Sequence, residues 1–179
     1  MRKPWYRGSC GCAPAGGRVK SAAELQEVAV GNINWGRVIL GGLAAGVVID
    51  IGEGTLNGFI LAQDWAEAMK ALGKTGEMSG GQLAALNVWG LVMGIFAVWL
   101  YAAIRPRYGA GPGTAACAGT AVWFVHYIMG AGISLIFDIY PTRLVTIGIC
   151  VGLVEFILAA MIGASLYKEE AAGAAAAGR

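Results

Sequence analysis

Four long apolar blocks separated by short polar stretches predict four membrane-spanning helices, at about 35–61, 83–104, 114–139 and 144–166. Each is long enough to cross a hydrocarbon core of about 30 Å at a helical rise of about 1.5 Å per residue. None alternates with a period of two as a half-buried strand does. Trp35, Tyr101, Tyr108, Tyr140 and Tyr167 fall near the block ends, where an interfacial aromatic belt belongs. Between the first two blocks, Asp64-Trp-Ala-Glu67 has capping-box-like spacing, and Trp65, Met69 and Leu72 recur on one face before Gly73. That pattern predicts a short interfacial helix lying on the membrane surface. The expected fold is an all-α integral membrane four-helix bundle. Only a few residues around Tyr140-Pro141-Thr142 join the last two spans, so these should form an antiparallel hairpin.

Composition agrees with this reading. The 179 residues are 57% hydrophobic and 13% charged, against about 25% charged in soluble proteins, and the mean hydropathy is +0.62. Residues 1–31 form a leader rich in Gly, Pro and basic residues, expected to be disordered apart from a short helix from Ser21 to about Val30. The leader has no apolar stretch, so neither a cleaved signal nor a first span is expected there. The Ala-rich tail 169–179 is likewise expected to be disordered. Ten of the 13 Lys and Arg fall on the side shared by the N-terminus, the Arg105-Pro-Arg107 loop and the C-terminus, leaving Lys70, Lys74 and Arg143 opposite. The positive-inside rule then puts both termini in the cytoplasm. Basic residues confined to tails and one loop make nucleic acid an unexpected partner. Cys117 and Cys150 lie inside apolar blocks as small hydrophobes, and Cys10-Gly-Cys12 lacks the second pair a structural zinc site needs.

Within the spans, small and polar residues fall into stripes. Gly42, Gly46, Asp50, Glu53 and Asn57 share one face of the first span. Asn87, Gly90, Gly94 and Ala97 share one face of the second; Gly119, His126, Gly130 and Ser134 of the third; and Gly148, Gly152, Glu155, Ala159 and Gly163 of the fourth. Small residues four apart let helices approach closely in a solvent that gives no hydrophobic drive to association. These faces are therefore expected to converge, with Gly42, Gly46, Gly90, Gly94, Gly148 and Gly152 as packing positions.

Convergence brings together an unusual set of polar groups. Counted from the span midpoints, Asp50, His126 and Glu155 fall within about 2 Å of the bilayer centre, and Glu53 lies about one turn to the outer side. Asn57, Asn87 and Ser134 fall about 10 Å out on that side as supporting polar groups. An ionised side chain at the centre costs at least about 2.5–3.5 kcal/mol. No Lys or Arg lies at that depth, and one histidine can pair with only one acid. Asp50, Glu53, His126 and Glu155 are thus a candidate proton or cation site, whose unpaired acids hold either a proton or a cation. The plainer alternative is interhelical hydrogen bonding that serves packing alone. No metal site is expected. Cofactors are undetermined, and the sequence requires none. No glycine-rich phosphate loop, G-x-S-x-G or H-E-x-x-H is present, so no catalytic residues and no enzyme activity are expected.

Asn32-Ile-Asn-Trp35, Asp64-Trp65 through Met69-Lys-Ala-Leu-Gly73, and Gly152-Leu-Val-Glu155 through Leu166-Tyr-Lys-Glu169 give the chain a layout that resembles an uncharacterised family of small bacterial four-span inner-membrane proteins. The resemblance covers about residues 32–170. It implies a four-helix fold in the bacterial inner (cytoplasmic) membrane, and it carries over no catalytic or ligand residue. Three functions follow as expectations. The first is a non-enzymatic accessory or interaction subunit of a larger membrane assembly, with the lipid bilayer and either a homo-oligomer or a larger complex as partners. The second is an oligomeric proton- or cation-coupled transporter or channel built on the acid and histidine cluster. The third is a haem- or quinone-binding subunit with Trp89 and Trp123 lining a pocket near His126.

Overall fold

The computed structural model describes residues 33–168. The expectations for the leader, including Cys10 and Cys12, and for the tail lie outside the described residues. Helix α1, Trp35–Thr55, continues as a π-helical turn over Leu56–Ile60 and is followed by the short helix α2, Ala62–Ala71. The second span is α3, Gly80–Tyr108. The third comprises α4, Pro112–Trp123, a π-helical segment over Phe124–Met129, and α5, Gly130–Ile136. The fourth is α6, Thr142–Leu166. All four are long and apolar enough to cross a bilayer, and no strand occurs among the described residues. The protein is a multi-pass membrane protein with an all-α four-helix bundle.

Local chemistry sets the helix ends. Asn34 caps α1 by accepting from the backbone N–H of Arg37 at 3.0 Å. Ser79 and Gln82 form a reciprocal capping box that starts α3 about one turn before the apolar block begins. Pro112 occupies the first turn of α4, where its missing N–H costs nothing. Pro106 falls in the last turn of α3, so the helix runs only to Tyr108 before Gly109, at a φ of 87°, turns the chain. Helix α2 starts at Ala62, so Asp64 lies inside its first turn rather than at its cap. The helix closes with Gly73 at a φ of 73°. There the N–H of Gly73 bonds Lys70 and that of Lys74 bonds Met69, satisfying two end carbonyls.

The spans run up and down in chain order, each antiparallel to the next. Helix α1 packs most extensively on α3, then on α6, and α4 packs on α6. The small-residue stripes set these approaches. A methyl group added at Gly94 would lie 2.6 Å from the Cα of Gly46, and one at Gly46 would lie 2.5 Å from the Cα of Leu91. Gly42 abuts the backbone of Ile95, Gly163 meets the carbonyl of Gly41, and Gly119 meets the backbone of Phe156. The resulting core fills the half of the bundle that holds Trp35 and Leu166, with Val38, Ala45, Val98, Ala118, Val122 and Ala159 fully buried.

The half that carries α2 is different. Residues 81–89 of α3 are exposed along their whole length. The third span beyond Trp123 leans only lightly on α6. Methyl groups at Gly130 and Gly132 would meet nothing. The sequence stripe Gly119, His126, Gly130 and Ser134 is thus broken. The π segment widens the turn by about one residue, so the face that packs through Gly119 continues through Tyr127 instead. Helix α2 folds back over this end. Trp65 packs with Leu56, Leu61 and Leu144 and edge-on to Tyr140 with ring centroids 5.2 Å apart, and Asp64 pairs with Arg143 at 2.9 Å.

Candidate functional site

Glu53 sits near the end of α1, just before the π-helical turn, and both of its carboxyl oxygens accept. The amide of Asn57, one turn on, donates to Oε2 at 2.5 Å. Asn57 in turn accepts from the indole N–H of Trp65 on α2 at 2.8 Å. The other oxygen accepts from the hydroxyl of Tyr127 on the π segment of the third span. Tyr127 reaches it because its ring lies in a notch in α6. A methyl group at Gly152 would stand 2.6 Å from the Cζ of the ring, and one at Gly148 would touch it at 3.4 Å. Two donors therefore point at one carboxyl, one on each oxygen, and the Trp65 indole orients the first of them.

Glu155 lies beside it with the opposite treatment. It is 8% exposed, and both carboxyl oxygens are buried without a hydrogen-bond partner. Gly52 makes the space: a methyl group there would lie 2.5 Å from the carboxyl carbon of Glu155. Glu53 and Asp50 are both close enough to act on Glu155 electrostatically. A bare charge on Glu155 would cost several kcal/mol, about what an unpaired buried ion costs. The pocket therefore suits a carboxyl that carries a proton or faces a cation.

Asp50 is half-buried, with its Oδ1 against Gly90 of α3. His126 is half-buried as well. Among the described residues it makes no hydrogen bond to any of the acids. Aromatic rings hold it instead: it stacks on Phe156 at 5.6 Å, meets Tyr127 edge-on at 5.0 Å and approaches Trp89 at 6.5 Å. Glu53 lies within electrostatic range of His126. Among the described residues no three His, Cys, Asp or Glu side chains converge at metal-ligand spacing. Trp123 does not join Trp89 at the imidazole, since its indole N–H donates to the carbonyl of Ile149 at 2.9 Å and anchors α4 to α6.

The structure thus brings Asp50 and Glu53 within electrostatic reach of Glu155 and sets His126 near Glu53. Asn57 joins them through its bond to Glu53. Asn87 stays apart, exposed and bonded to the carbonyl of Leu83 in its own helix at 2.8 Å. Ser134 lies half-buried on α5, in the splayed part of the third span. Gly42, Gly46, Gly90 and Gly94 all lie in the α1–α3 seam, whereas Gly148 and Gly152 receive a side chain rather than a helix backbone. Tyr127 and Trp65 are functional candidates that the polar pattern does not single out. A glycine pair on α6 with no matching small residue opposite was the available signal for Tyr127. Comparison with known proteins gave no match to a family model, a curated protein or a solved structure.

Proposed function

We propose that this chain moves protons or a cation across its bilayer through the Glu53 and Glu155 carboxyls, with Asp50 and His126 at the approach to them. One observation carries the reading: Glu155 is buried with no donor to either oxygen, directly beside a carboxylate that has donors on both. A packing role alone would leave Glu155 hydrogen-bonded, because an interhelical bond is the only return on burying a carboxyl in lipid. Two flanking π-helical segments, a feature that concentrates at functional sites, support the same reading. The test is flux in proteoliposomes driven by a pH or cation gradient. Flux should be present in the full chain and absent in Glu155→Gln. Equal rates in the two would end the proposal.

A second reading, an interaction subunit of a larger assembly or homo-oligomer, draws on the bare 81–89 segment of α3. A transmembrane helix exposed on every side for over two turns is well suited to receive a neighbour. Native mass spectrometry from mild detergent tests it, since a monomer with nothing bound would remove its support. The basic-residue count favours both ends on the cytoplasmic side of the membrane. Fluorescence of a C-terminal fusion that matures only in the cytoplasm checks the orientation.

A further inference from the structure

The translocation reading above leaves the solute open, and the shape of the site narrows it. Two sides of the site are occupied. Toward Trp35 and Leu166 lies the dry core, with Val38, Val98, Val122 and Phe156 buried between helices in glycine contact. Toward α2 stands the hydrogen-bonded chain Trp65, Asn57, Glu53. An indole N–H only donates and a carboxamide keeps its protons, so this chain orients Glu53 but relays nothing to it.

The third side is open. Helix α3 meets the third span beyond Trp123 at little more than the approach of Trp89 to His126. On either side of this gap the helices are apolar and bare, as at Leu86 and Ile133. Asp50 lies at the inner edge of the gap, against the Gly90 that follows Trp89. Glu155, more than nine-tenths buried and unpartnered, is the deepest of the acids. The opening therefore leads from the lipid phase past Trp89 and His126 to Asp50, with Glu155 buried behind it.

Resting on that reading, we infer that the solute is an amphiphilic organic cation that enters sideways between α3 and the third span. Its charged group meets Asp50 and Glu155, and its apolar body stays between the two helices. An aromatic face beside carboxylates suits a diffuse positive charge. A small inorganic cation needs a shell of converging oxygens, and among the described residues the acids do not converge in that way. An anion would face three acids with no Lys or Arg at that depth. The proton competes for the same place. The titratable groups facing Glu155 are Asp50 and Glu53 from α1 and Tyr127 from the third span, with His126 stacked on the neighbouring Phe156, and α3 presents none at this level.

The probe is tetraphenylphosphonium, measured by equilibrium binding to the full chain in nanodiscs, with tetramethylammonium and sodium as comparators. Tetraphenylphosphonium should bind saturably, more tightly than either comparator, and more weakly as pH falls. Glu155→Gln should weaken it by about thirtyfold or more, the effect of losing a desolvated charge partner. Trp89→Ala should weaken it about two- to thirtyfold while Trp89→Phe retains most of it. Asp64→Asn, on α2 outside the gap, should leave it unchanged. Absence of saturable binding to the wild-type chain overturns the inference, as does equal binding by a monodisperse Glu155→Gln. If Glu155→Gln does not purify intact, equal binding by Trp89→Ala and wild type overturns it. Glu155-dependent proton or sodium flux without tetraphenylphosphonium binding would remove the solute class and leave the translocation reading. Glu155-dependent binding without flux would do the reverse.

Discussion

Alanine at Gly94 and alanine at Gly132 should change stability in opposite directions. At Gly132, on α5, an added methyl group has nothing within 4 Å, so the substitution gains only the helix propensity of Ala over Gly, about 1 kcal/mol. At Gly94 the same methyl lies 2.6 Å from the Cα of Gly46, and nearer still to the N of Gly46 and the carbonyl oxygen of Gly42. Carbon contacts settle at about 3.5–4.0 Å, so α1 and α3 must part by about 1 Å along the seam that also seats Gly42, Gly46 and Gly90. Backbone atoms cannot swing aside as a side chain does, which puts the cost near the upper end of the about 1–3 kcal/mol typical of overpacking. Set against the same propensity gain, the net loss at Gly94 is about 2 kcal/mol. Thermal unfolding of both variants in one mild detergent, followed by tryptophan fluorescence, reads the difference directly. If Gly94→Ala unfolds at the wild-type temperature or above it, the close α1–α3 approach is not what joins these helices.

Tyr127→Phe removes one donor from Glu53 while keeping the ring in its α6 notch, and should destabilise by about 1–2 kcal/mol in the same unfolding assay. Trp65→Phe keeps the contact with Tyr140 but loses the bond to Asn57, for an expected loss of about 1 kcal/mol. An effect at Trp65 larger than that at Tyr127 would contradict the assignment of Glu53 as the focus of both chains. Arg143→Ala breaks an ion pair whose side chains are 71% and 35% exposed, so double-mutant cycles with Asp64→Asn should give a coupling below about 1 kcal/mol. Cys150, exposed on α6 within a membrane span, should react with a lipid-soluble maleimide and resist a membrane-impermeant one. Equal reaction with both would argue against this face of α6 meeting lipid.

Hydropathy alone located the four spans, because a helix that must satisfy its own backbone in lipid has few other ways to be written. Its errors were at the ends and had local causes, such as the Ser79 and Gln82 capping box that lengthens α3 and the Pro112 start of α4. Glycine spacing made the α1–α3 seam legible, since four-residue steps fix which backbone faces another. Legibility failed where helical periodicity itself failed. A π-helical turn adds a residue without any change in apolar character, so nothing in Phe124–Met129 announces that Tyr127 rather than His126 continues the Gly119 face. The same holds at Leu56–Ile60, where the irregularity falls after Thr55. That the acids share one level of the bundle was readable from counting residues. Their partners were not, because Glu53 receives its donors from Asn57 and from a tyrosine 74 positions along the chain.

Transport through Glu155 requires its carboxyl to be neutralised by something that can come and go. Infrared difference spectroscopy of the purified chain, recorded across changes in proton and cation concentration and repeated with Glu155→Gln, addresses it most directly. The expected result is a carboxyl carbonyl signal that responds to those changes and is missing from the variant. A spectrum that is indifferent to protons and cations alike, and the same in both proteins, would contradict it.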